Sequence, residues 1–167
     1  VSRNEIEKLA LYAGEGGQID IDDIVRVVGD NAAISLEEIV FATTDGDSKL
    51  ADQSLTRALA DGISPIQVLR AFQIHLQRLH AVVGELQNGE SLNLAVGKLK
   101  PPIFFKVKTQ FQQQCRRWSL SSLSAAMCMI LDTERQCKKT GVPMTAICHR
   151  TVLRLATVAR KQRHHDY

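Results

Sequence analysis

The 167-residue chain has few aromatic residues, few prolines and no long apolar run, and each shortage excludes something. No stretch approaches the roughly 20 apolar residues that a membrane-crossing helix needs. The polar start, with Asn4, Glu5, Glu7 and Lys8, carries no secretory signal pattern. Alternating apolar and polar residues are also missing over any useful length, so no β-sheet is expected. The four cysteines include no C-x-x-C pair, which argues against a zinc ribbon or a dithiol redox centre. Nucleotide-binding, serine-hydrolase, zinc-protease and EF-hand patterns are absent. Gly14-Glu15-Gly16-Gly17 lacks the lysine that would make it a phosphate-binding loop.

What is present is helical. Ser2-Arg3-Asn4-Glu5 reads as a capping box, followed by Ile6, Leu9, Ala10 and Ala13 on one stripe. Glycines 14, 16 and 17 end that helix. A second runs from Ile19 to Val28, with Asp20 as cap and Gly29 as stop. Asp30 to Ile34 is the best boundary, and Ser35-Leu36-Glu37-Glu38 reads as a fresh capping box. Further helices are expected from about Ser48 to Asp61, from Pro65 to about Gln87 and from Ser91 to Leu99. Three more follow: Ile103 to Trp118, Ser119 or Ser121 to about Lys139, and one after Pro143. Ser64-Pro65 is a strong start, because the ring fits the first helical turn. Phe104, Phe111 and Trp118 are spaced seven apart, two helical turns, and should form one buried stripe. The chain starts at Val1 within a helix-start signal and reads as a fragment that has lost an N-terminal part.

Charge is unevenly placed. Residues 1–50 carry a net charge of −7, residues 51–100 +1 and residues 101–167 +9. An acidic front and a basic back imply two modules with different neighbours, or simply solvated helix faces. Lys106, Arg116, Arg117 and Trp118 are the candidate partner contacts, with Arg135 and Lys138 at the end of the next helix. The helix dipole also explains the last two. Arg150, Arg154, Arg160 and Lys161 lie along the final helix. His75, His80 and His149 read as partly exposed helix residues, and the cysteines as packed thiols of a reduced, cytosolic chain. A zinc site of the cysteines with His149 is the sharper alternative. No catalytic residue, metal ligand or cofactor contact is assigned.

Several stretches together resemble the delta subunit of bacterial DNA polymerase III, most of all its alphaproteobacterial form. They are Ser2-Arg3-Asn4-Glu5 with Lys8-Leu9-Ala10-Leu11-Tyr12, Asp22-Asp23-Ile24 with Val27-Val28-Gly29-Asp30, and Ser64-Pro65 with Val68-Leu69-Arg70. The others are Pro101-Pro102-Ile103-Phe104-Phe105-Lys106, Arg116-Arg117-Trp118-Ser119 and Glu134-Arg135-Gln136-Cys137-Lys138-Lys139-Thr140-Gly141. They cover nearly the whole chain in the family's order. The resemblance implies an all-α fold, with the end of a small helical lid at 1–30 and a helical collar at 31–163; the polar end of the chain, 164–167, reads as a frayed tail. It implies a non-catalytic cytoplasmic subunit of a clamp loader, within a nucleotidyltransferase holoenzyme. The partners it implies are the gamma/tau and delta-prime subunits. Contact with the sliding clamp would belong to an AAA+-related N-terminal domain outside this chain, and primed DNA would lie within the complex. Two other function classes remain open: a nucleic-acid-binding helical module using the basic half, and a metal or redox protein built on the cysteines.

Overall fold

One long helix carries the centre of the molecule. In the computed structural model this helix, Pro65–Gln87, buries Val68, Leu69, Phe72, His75, Leu76, Leu79, Val82 and Val83. The positions recur at helical spacing, so one face is apolar along the whole length. Its start is fixed as the sequence requires. Ser64 Oγ accepts from Gln67 N, Gln67 Oε1 accepts from Ser64 N at 2.8 Å, and Pro65 occupies the first turn.

The structure describes residues 21–162 together with 6, 7, 10, 11 and 14, and within 21–31 the backbone alone. The capping box at Ser2–Glu5, the Asp20 cap and the tail at 164–167 lie outside the described residues. Seven α-helices are seen among the described residues, with no strand: α1 Ile21–Thr44, α2 Ser48–Ala60, α3 Pro65–Gln87, α4 Leu92–Gly97, α5 Lys108–Arg117, α6 Leu120–Cys137 and α7 Met144–Gln162. A 3-10 turn, Phe105–Val107, leads into α5. The fold is all-α, as expected.

Helix α3 packs on α1, α4, α5, α6 and α7, while α1, α2 and α7 pack on one another. The last six residues of α1, Ile39 to Thr44, are all buried. The hydroxyls of Thr43 and Thr44 stay satisfied there by donating to the carbonyls of Ile39 and Val40, at 2.7 and 2.8 Å. Gly46, at φ +80°, turns the chain against α7. Asp47 then caps α2 by accepting from Leu50 N at 3.0 Å.

Two expectations about elements are corrected. Helix α1 does not stop at Gly29, and Ser35 opens no new helix: the backbone is helical without a break from Ile21 to Thr44. A glycine inside a helix costs only about 1 kcal/mol relative to alanine. The packed C-terminal end of α1 outweighs that. The helix after the prolines does not begin at Ile103. Lys100–Pro101 is cis, Phe104 is extended, and regular α-helix starts only at Lys108.

Candidate interaction surface

The stretch from Pro101 to Trp118 divides into an exposed tip and a buried anchor. At the tip, Phe104 and Phe105 are 54% and 73% exposed, and their rings meet at 4.7 Å between centroids. The expected stripe therefore holds only for Phe111 and Trp118, both buried. Phe104 precedes the helix and does not share its face. Lys106 Nζ lies 5.9 Å from the Phe104 ring centre, within cation–π range. Arg78 of α3 holds the base of the tip by donating to the Pro101 carbonyl at 2.8 Å. Lys100, Lys106 and Lys108 are exposed around it.

The anchor is a buried polar network that the sequence reading missed. Gln114, on α5, is fully buried. Its Nε2 donates to Asp45 Oδ1 at 2.9 Å, so its Oε1 faces His75 Nε2, at 2.7 Å. That oxygen can only accept, so His75 carries its proton on Nε2. His75 is 7% exposed, not a partly exposed helix residue, with Phe41 and Phe111 edge-on to its ring. Burial disfavours the imidazolium and pushes the pKa down from 6.5 to about 4. Gln110 also donates to Asp45, and Arg117 Nη2 lies 3.5 Å from it. Trp118 Nε1 donates to the Thr44 carbonyl at 3.0 Å. This network pins α5 to the end of α1.

The six candidate contact residues do not form one patch. Trp118 is 3% exposed and hydrogen-bonded inside, so it offers no surface to a partner, contrary to expectation. Arg117 is drawn inward to Asp45, while Arg116 is exposed. Lys106 lies in the 3-10 turn that precedes the other end of α5. Arg135 and Lys138 lie roughly 25 Å further along, near the far end of α6. Arg135 reaches Asp132 at 3.8 Å. Lys138 pairs with Glu134 at 2.8 Å. Lys138 and then Gln73 hold the Glu134 carboxyl below the usual carboxylate range. Three of the cysteines are buried in the core, whereas Cys128 is exposed, a departure from the expected packed thiol. Burial pushes the Cys115 and Cys148 thiols up to about 12. His149 Nδ1 lies 3.2 Å from Asp52, joining α7 to α2. No described group of histidines, cysteines and carboxylates could hold a metal ion.

Comparison with known proteins adds one relative. The chain is 23% identical over 131 residues to a probable DNA polymerase III subunit delta of Rickettsia prowazekii (strain Madrid E). The match covers 78% of this chain and 41% of the relative, so the chain spans about two-fifths of that protein's length. No family model and no solved structure matches. Among the described residues, no helix is long and apolar enough to cross a membrane.

Proposed function

We propose that the chain is a non-catalytic helical assembly module of a bacterial clamp loader, the part of a delta subunit that joins it to its neighbours. The observation that carries this is the similarity to a probable DNA polymerase III subunit delta across most of the chain. The all-helical architecture is consistent with it. In this reading residues 1–30 end a lid domain and 31–163 form the collar. The partners are the gamma/tau and delta-prime subunits, the complex is cytoplasmic, and clamp contact resides in a separate N-terminal domain. Exposed Arg116 and Lys106 belong to the surface offered for assembly. Co-expression with gamma/tau and delta-prime tests it. The chain should co-purify with them and remain bound in moderate salt. Elution as a free protein beside an intact complex of the others would refute it.

The exposed tip favours a second contact, with single-stranded nucleic acid in primed DNA. Aromatic faces available to bases beside several lysines are what sequence-tolerant binding uses. Phe104 and Phe105 supply the faces, and Lys100, Lys106 and Lys108 the charge. A labelled oligonucleotide should bind with an affinity that falls as salt rises, by a log–log slope of about −0.7 per phosphate contacted. Phe104→Ala with Phe105→Ala should weaken binding at every salt concentration. Unchanged binding would remove the tip from this role.

A further inference from the structure

A cleft of about 400 Å³ lies between α6 and α7, apart from the tip and the anchor of α5. Cys128, Asp132 and Gln136 line it from α6, and Arg150 and Arg154 from α7. Its floor is a pair of hydroxyls, Thr133 and Thr151, 2.9 Å apart. We propose that this cleft receives acidic side chains from a helix of a partner protein, with Arg150 and Arg154 as the carboxylate-binding pair.

The charge arrangement carries the inference. The two arginines are four residues apart on α7, so they share one face a turn apart. Arg150 donates only to the Gln136 amide oxygen, at 3.4 Å. Arg154 has no hydrogen bond or ion pair among the described residues. The cleft's own acid, Asp132, lies with Arg135 at 3.8 Å and leaves the arginine pair unneutralised. Guanidinium groups bind carboxylates through parallel hydrogen bonds, and arginine is enriched at protein interfaces. Ala125 and Cys128 are small and exposed, so the α6 wall leaves room for a helix backbone.

A protein suits the cleft better than nucleic acid. No aromatic ring lines the space for a base to stack on, and the Asp132 carboxylate disfavours a chain that carries a negative charge at every repeat. A protein helix can place carboxylates on the arginines and a donor over Asp132. The inference stands on the cleft alone and holds whether or not the clamp-loader reading does.

Cys128 provides the test, because it lies in the cleft wall and the other three thiols are buried. The probe is a blocked alanine-rich helical peptide with glutamates at i and i+4. Its saturating addition should slow the reaction of Cys128 in the full chain with a neutral maleimide by about threefold or more, since thiol reactivity follows access. A matched glutamine peptide should not. Arg150→Gln with Arg154→Gln should abolish the protection, and Lys161→Gln, elsewhere on α7, should keep it. Far-UV circular dichroism and a count of one reactive thiol establish that the variants are folded. No slowing, equal slowing in the double variant, or slowing by acetate alone would overturn the proposal. So would protection by an oligonucleotide in place of the peptide.

Discussion

His75 and Gln114 show how a single polar residue on an apolar stripe constrains its neighbours. Neutral His75 fits its site; protonated His75 does not. Above pH 6.5 neither the folded nor the unfolded chain protonates this side chain. Between 6.5 and about 4 only the unfolded state binds the proton, so stability drops as the pH is lowered, and below about 4 this group adds no further loss. By pH 4.5 the loss should reach about 2–3 kcal/mol. His75→Gln keeps a donor toward Gln114 and cannot titrate. Urea unfolding at pH 7 and pH 4.5 should show the difference between the two shrinking by that amount in the variant. An unchanged difference would place the titration elsewhere. Gly46 makes a second prediction. A Cβ there would lie 2.7 Å from the Arg160 nitrogen and 2.9 Å from its Cα, both backbone atoms, at φ +80°. Gly62, at φ +93°, has open space around it. Gly62→Ala should cost about 1–2 kcal/mol, from conformation alone. Gly46→Ala should cost more, because α7 must move as well, and thermal melts of the two variants measure the gap. Little of this was legible beforehand. Gln114 falls on the stripe of Phe111, Cys115 and Trp118, and His75 on that of Phe72, Leu76 and Leu79. A polar residue in such a place signals a buried partner but does not name it.

At the scale of elements, local chemistry was readable wherever a cap and a stripe agreed. Helix α3 starts at Pro65 and ends at Gln87, as its Ser-Pro start and apolar period indicate. Helix α6 starts after Ser119, which forms a reciprocal cap with Ser122. The reading failed where local signals and tertiary packing disagreed. Gly29 and the apparent cap at Ser35 lie within α1, whose end is held by burial that no local pattern reports. The prolines displaced the start of α5 by about one turn and left Phe104 and Phe105 outside it. The anchor of α5 yields a prediction with a bearing on function. Arg117→Glu would bring a carboxylate to Asp45, which now accepts from Gln110 and Gln114 and faces Arg117. It should lower the melting temperature by several degrees, a cost of about 1–3 kcal/mol. Arg116→Glu, on the exposed side of the same turn, should leave the melting temperature nearly unchanged. A loss of assembly in the Arg117 variant would thus mix folding with contact, whereas Arg116 isolates contact.

For the molecule as a whole, one contiguous apolar cluster joins Ile39 at the end of α1 to Ala159 on α7. The uneven charge along the sequence is not mirrored by two cores in this span: acidic α1 and basic α7 pack on each other and both pack on α2. The cysteines report on this directly. Cys115 on α5, Cys137 on α6 and Cys148 on α7 are buried in that cluster, and burial raises the pKa of each thiol. A thiol both inaccessible and protonated reacts only when the structure opens. Native protein should therefore release one rapid equivalent with Ellman's reagent, from Cys128, and four in guanidinium chloride. The slow three should appear in step, at a rate that rises with denaturant as global unfolding does, because a single core opens as a unit. Separate phases, with Cys115 reacting well before Cys148, would mean that α5 opens independently of α7. The polar network from Gln114 to Asp45 would then be a hinge in place of a lock.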